Sequence, residues 1–322
     1  MPTVEFPDGK IIRDGVAILD HFEEASGREY SPKSPKQKIV SLLLDVIGAE
    51  GLLRPAMHYR WHYYDKEHYE FNRLHFEGLF KGHDNAAELA DERIALLFEN
   101  ALPGFGINAK THDLIESMHL SLLEKLNNHF SVYPYLLGSK PSIGDFGLIA
   151  PFGHLGRDPK PFSLMIERAL RVFRWVERMH RPDADMGEFT FKDESFLEGD
   201  EIPETLVDLL RHFAVDFVPE TQAACTVIND WLADNPDLAT GTEAERTVGE
   251  PGSFHVKGVE MQTVAQPFRF YLLDRVYDVY DGLNEKDQAE VQALLTRCDL
   301  EIILDCRITR RIGRKDNLEV WL

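Results

Sequence analysis

The chain has 322 residues, enough for two ordinary packed units, and its 55 acidic against 35 basic side chains give a formal net charge of −20. That balance excludes nucleic acid as a partner, because phosphate binding is driven by Lys and Arg displacing counterions. No run reaches the roughly 18 apolar residues of a membrane-spanning helix, and Met1 is followed by a proline and acids instead of a basic-then-hydrophobic leader; no membrane is implied, and a cytoplasmic protein is expected.

Thr3 to Phe6 reads as a strand, Pro7-Asp8-Gly9-Lys10 as a hairpin turn, Ile11-Ile12 as the returning strand, and Asp14 to Glu24 as an amphipathic helix. A hairpin with one helix has unpaired strand edges and little core of its own, so it must pack on the rest of the chain or on a partner. Arg28 to Lys36, rich in Ser, Pro and Lys, reads as a linker. Leu42, Leu43, Val46, Ile47, Leu52 and Leu53 then mark a long helix, kinked near Gly51 and Pro55, that runs into Met57 to Tyr64. His58 and His62 lie one turn apart, a spacing that can hold a metal. No carboxylate or third histidine occupies a matching helical position nearby, and His68 or His75 would have to fold back, so no metal site is expected.

Asp65 to Phe105 opens with a charged, aromatic stretch and continues as a helix over Ala86 to Asn100. Thr111 to Asn128 is a further long helix, with Leu114, Ile115, Met118, Leu122 and Leu126 as its core stripe. Ser142 followed by Asp145, ahead of an apolar run, is a capping box that starts the next helix. Met165 to Met179 reads as one amphipathic helix, and Asp193 to Glu204 as an acidic, solvated loop. Two helices follow, from Glu204 and from Thr221 to Leu232, then a loop over Asp237 to Gly252. An alternating strand over Phe254 to Met261, helices over Phe268 to Tyr280 and Glu285 to Arg297, and a terminal strand at Leu318 to Leu322 complete the chain. Cys225, Cys298 and Cys306 include no CxxC and are read as small buried hydrophobes. The basic group Arg307, Arg310, Arg311, Arg314 and Lys315 is assigned to ion pairs with the acidic surface. No GxSxG, Walker-type loop, GxGxxG or HExxH supports a hydrolase, nucleotide or zinc-protease reading.

The run Leu137-Gly138, Pro141-Ser142, Asp145-Phe146, together with Trp175-Val176-Glu177-Arg178-Met179, resembles the C-terminal domain of glutathione transferases. The opening hairpin and helix are similar to the second half of that family's thioredoxin-like domain. The resemblance implies a mostly α protein. Residues 1–27 would be a partial thioredoxin-like segment, 28–182 the all-α domain with an insertion at 65–105, and 183–322 a mainly helical extension. It implies a cis Met1–Pro2 bond, with Met1 and Pro2 facing the cysteinyl part of glutathione and Asp14 and Gly15 holding its γ-glutamyl end. Met57, His58, Trp61 and His62 would wall an acceptor-substrate pocket or belong partly to the core. The implied activity is conjugation of glutathione, a co-substrate with no further cofactor, to a small electrophile, and a homodimer is allowed. The strand-helix-strand half that carries the family's thiol-activating side chain is not in these 322 residues. Little conjugation is therefore expected of them unless Tyr59, Tyr63 or Tyr64 substitutes; the alternative is a non-catalytic binding or scaffold relative.

Overall fold

The computed structural model describes residues 2–62, 66–181, 187–190 and 193–322; among these the chain is mostly helical, with three small antiparallel two-stranded sheets. Strands β1 (Thr3–Glu5) and β2 (Ile11–Arg13) pair with Val4 opposite Ile12, and the Asp8 carboxylate accepts from the Lys10 amide to tighten the turn. Helix α1 (Gly15–Ala25) follows. The outer edge of β2 is closed by one side chain: Asn317 accepts from the Arg13 amide at 3.1 Å and donates to the Ile11 carbonyl at 3.0 Å, as a neighbouring strand would. Met1, and with it the expected cis bond to Pro2, lies outside the described residues, as do Tyr63 and Tyr64.

Pro35 opens α2 (Pro35–Val46) at a position where its missing N–H costs nothing. The helix loosens into a π-helical turn at Ile47–Gly51 and restarts as α3 (Leu53–Trp61), which puts the bend where Gly51 suggested it. Helices α4 (Lys66–Leu79) and α5 (Ala86–Gly104) form an antiparallel pair, so the charged aromatic stretch of the insertion is itself helical. Then come α6 (His112–His129) and α7 (Ile143–Leu155). The single helix expected over Met165 to Met179 is two, α8 (Pro159–Arg168) and α9 (Leu170–Met179), because Ala169 leaves the helical region at φ −145°, ψ 56°. Conversely, the two helices expected after Pro203 are one, α10 (Glu204–Asp234), with Pro219 inside it. A proline removes one backbone bond from a helix, and here buried Leu209, Phe213, Phe217, Ala224 and Ile228 carry the helix through it.

The strand read over Phe254 to Met261 is a hairpin instead: β3 (Val248–Val256) and β4 (Val259–Ala265) meet at a two-residue turn of Lys257 and Gly258, both at positive φ. The remaining elements are α11 (Pro267–Asp281), α12 (Glu285–Arg297), β5 (Ile312–Lys315) and β6 (Leu318–Trp321). One apolar core runs from Val16 to Trp321, built around α2 and the buried face of α10. A second cluster joins Trp61, Ile94, Phe105, Phe254 and Met261 between the α4–α5 pair and the β3–β4 hairpin.

Helix α7 crosses α2 and the π-helical turn that continues it with backbone against backbone. A Cβ on Gly48 would come within 2.3 Å of the Gly147 carbonyl group, and one on Gly147 within 2.4 Å of the Asp45 Cα. The capping box at α7 is present. Asp145 Oδ2 accepts from the Ser142 amide and hydroxyl, both at 2.8 Å. Its Oδ1 accepts from the Leu136 amide and the Trp175 indole, both at 3.1 Å.

Candidate functional site

Asp14 is the N-cap of α1 and stands at φ 81°, ψ 140°, a conformation that costs a non-glycine residue of order 1–3 kcal/mol. Its carboxylate accepts from the Ala17 amide at 3.4 Å and from the Arg314 guanidinium at 3.0 Å. Arg314 also donates to the Arg13 carbonyl, so the turn that presents Asp14 is held from behind by the β5–β6 hairpin. The first helical residues, Gly15 and Val16, expose a helix N-terminus, where unpaired amides and the helix dipole favour an anion.

That end of α1 opens on a cavity of about 700 Å³. Pro2, Asp14 and Gly15 line it from the N-terminal segment, and Asp45, Ala49, Phe146, Gly147 and Ala150 close it from α2 and α7. Ile18, Leu19, Phe22, Phe146 and Phe268 make much of the wall apolar, while Ser26 and Tyr30 contribute hydroxyls. Tyr30 packs edge-on against Phe146 with centroids 5.3 Å apart, and the Lys140 ammonium lies over its ring at 5.4 Å. Carboxylates from Asp14, Glu23, Glu29 and Asp45 also line the cavity, and three of them are paired: Asp14 with Arg314, Glu29 with Lys140 and Asp45 with Arg275. Burial pushes Asp45 up to about 6 although Arg275, 2.6 Å away, pulls it down, and the same guanidinium bonds Asp20 at 3.0 Å. Glu23 is turned inward to accept from the Tyr30 amide and the Ser31 hydroxyl, which fixes the linker at the cavity mouth.

Pro2, Asp14 and Gly15 are thus brought together, whereas none of Met57, His58, Trp61 and His62 lines this cavity. Trp61 is buried in the second apolar cluster and Met57 packs on that cluster. Tyr59 is buried in the main core beside His119, its ring 4.8 Å away, and does not reach the cavity either.

His58 and His62 face α6. The sequence reading found no third histidine or carboxylate at a matching spacing, but the fold supplies both from a helix about fifty positions later: His112 and Glu116. His58 Nε2 is 3.1 Å from Glu116 Oε1, and the ligand atoms of His58, His62 and Glu116 all lie within 4.8 Å of one another. The His62 and His112 rings are 3.7 Å apart at their centroids. Burial pushes His58 down to about 4 against the pull of Glu116.

A buried ionic group, with no counterpart among the sequence motifs, joins α3, α10 and α11. Glu220 on α10 accepts from Arg54 at 2.7 Å and from the Thr263 hydroxyl at 2.8 Å, and lies 3.4 Å from Arg269. Arg54 also donates to the Phe105 carbonyl, and Arg269 to Thr221 and to the Glu50 carbonyl. Burial alone would raise Glu220, but Arg269 and Arg54 hold it below the usual carboxylate range. The available signal was an acid one turn from Asp216 and beside Phe217, within an apolar stripe. Of the basic group near the C-terminus, three pair with acids: Arg307 with Asp281, Arg311 with Asp274 and Asp278, and Arg314 with Asp14 and Glu319, whereas Arg310 donates to the Leu322 and Leu238 carbonyls and the Thr240 hydroxyl.

Among the described residues no helix is long and apolar enough to cross a membrane. Comparison with known protein families, with curated proteins and with solved structures finds no match to this chain.

Proposed function

We propose that the protein binds glutathione at the N-terminus of α1 in the manner of a glutathione transferase, with the cavity's apolar wall receiving a small electrophile or the organic part of a glutathione conjugate. The observation that carries this reading is the convergence of Pro2, Asp14 and Gly15 on one cavity closed by α2 and α7. In it the γ-glutamyl carboxylate lies on the α1 amides, where a helix end stabilises an anion, and the γ-glutamyl ammonium lies against Asp14. Arg314 keeps the Asp14 carboxylate in place; a carboxylate has acceptor sites enough for that guanidinium, the Ala17 amide and an ammonium. Ile18, Leu19, Phe22, Phe146 and Phe268 supply the apolar surface for the second ligand.

Conjugation needs a hydroxyl or thiol beside the sulfur to stabilise the thiolate. Of the lining residues with a hydroxyl, Tyr30 is the larger and sits under a lysine ammonium. The test is calorimetric titration of the purified chain with glutathione and with S-hexylglutathione. Both bind, and the hexyl derivative binds more tightly because its alkyl chain leaves water. Asp14→Asn weakens both. Absence of binding by either ligand, or an unchanged affinity in Asp14→Asn, overturns the reading. Turnover of a nitroaryl halide that is lost in Tyr30→Phe would add catalysis to binding, and binding without turnover leaves a carrier.

A further inference from the structure

We propose that His58, His62 and Glu116, with His112 turning in as a fourth ligand, form a site for one zinc-type divalent ion that clamps the C-terminal end of α3 to the N-terminal end of α6. Each helix contributes a pair of residues one turn apart: His58 and His62 on α3, with His62 as its cap residue, and His112 and Glu116 on α6. Residues at this spacing share a helix face, so two such pairs on facing helices converge on a common point. Their separations suit one ion. Four ligands about 2.0–2.1 Å from a tetrahedral ion stand roughly 3.4 Å from each other. His58 Nε2 and Glu116 Oε1 are already 3.1 Å apart, and His62 joins them within 4.8 Å, a side-chain rotation away. His112 lies outside that three-residue group, but its ring is 3.7 Å from His62 and 5.0 Å from His58 between centroids, so a turn of the side chain would bring a nitrogen in as the fourth ligand.

The donor chemistry selects the ion. Three imidazoles with one carboxylate suit zinc and its first-row neighbours, whereas calcium and magnesium take oxygen ligands. Arg60, between the two α3 histidines, makes two bonds to Asp158 at 2.9 and 2.8 Å. The Arg60 carbonyl is in turn held by His68 and Asn72, so the end of α3 is anchored independently of the cluster.

The site stands where the α4–α5 pair leaves the main body and returns to it, since His62 ends α3 just before α4 and His112 begins α6 just after α5. An ion there closes the base of that pair, which otherwise holds on through the second apolar cluster.

The experiment uses the full chain freed of metal with a chelator. Zinc chloride titration is followed by calorimetry, and cobalt chloride binding by visible absorption. One ion binds per chain, cobalt shows the intense visible bands of tetrahedral coordination without thiolate charge transfer, and zinc protects the α4–α5 pair from limited proteolysis. Removing a direct ligand should cost more than the 10–100-fold of an outer-shell change, so His62→Ala and Glu116→Gln, both at partly exposed positions, each weaken zinc by at least about tenfold. His255→Ala, an exposed histidine elsewhere, leaves binding unchanged. No binding by the wild-type chain, a thiolate band in the cobalt spectrum, or full affinity in folded His62→Ala or Glu116→Gln overturns the proposal.

Discussion

The indole N–H of Trp175 donates to Asp145 Oδ1 across 3.1 Å, tying α9 to the first turn of α7 through an acid that is fully buried. The same carboxylate serves the Ser142 amide and hydroxyl and the Leu136 amide, so it is a junction for three segments as well as a helix cap. A cap alone is worth about 1 kcal/mol. Asp145→Ala strands four buried donors at about 1–3 kcal/mol each before relaxation, and should cost at least about 3 kcal/mol. Urea unfolding at neutral pH measures it, and a loss near 1 kcal/mol would show that the donors find other partners.

Glu220→Gln should destabilise the protein by about 3 kcal/mol or more, because Arg54 and Arg269 would stay buried with half of their compensation gone. Replacing the whole group by apolar side chains of similar volume should cost less than the single change. Chemical denaturation of the two variants side by side decides it; equal or reversed losses would mean that water reaches the guanidinium groups.

Gly48→Ala should be among the most damaging of small substitutions, since its methyl would meet backbone atoms of Gly147 and Leu148 at 2.3 and 2.6 Å. Backbone atoms cannot rotate aside, so α7 must separate from the π-helical turn and from α2 before it, at a cost of about 2 kcal/mol or more. Gly78→Ala in α4 meets nothing within 4 Å and should stabilise the protein by up to about 1 kcal/mol through helix propensity. Thermal melts of the two variants should move in opposite directions.

His129 is buried on α6 between the Tyr135 carbonyl and the Thr205 hydroxyl. The carbonyl can only accept, so Nε2 carries the proton and Nδ1 accepts from Thr205. Burial pushes its pKa from 6.5 down to about 4. Above pH 6.5 neither state is charged and the residue contributes no pH dependence. Below it the unfolded chain takes up a proton that the folded chain refuses, so stability falls until about pH 4. Asp45 and Asp145, pushed up to about 6, and Glu50, pushed up to about 7, act in the opposite direction, so the comparison must be with a variant. Between pH 7 and pH 5 the wild type should lose about 2 kcal/mol more than His129→Gln. Parallel curves would show that His129 titrates normally in the folded state.

Local patterns carried much of the fold. The Asp8-Gly9 turn, the stripe from Leu42 to Leu53, the Ser142–Asp145 box and the helices after Phe268 depend on neighbours a few positions away, and they stand where periodicity and turn chemistry put them. Element ends were less legible. Ala169 breaks a helix without a proline or glycine to announce it, while Pro219 sits in a helix without ending it, because packing around α9 and α10 outweighs propensities worth about 3 kcal/mol at most.

The sites divide in the same way. Asp14 at the start of α1 can be read from the chain as a helix end beside a turn, yet its strained backbone and its bond to Arg314, three hundred positions later, come only from folding. His58 and His62 are visible as a pair, whereas His112 and Glu116 join them only because α4 and α5 fold out as a unit and return α6 to the end of α3. Glu220 finds Arg54 and Arg269 from opposite sides of the chain, and only the crossing of α3, α10 and α11 makes one buried group of them. Helix and turn energies act over one or two turns of chain, but charge neutralisation and ligand geometry act through space, so the first are written in the order of residues and the second appear when distant segments pack.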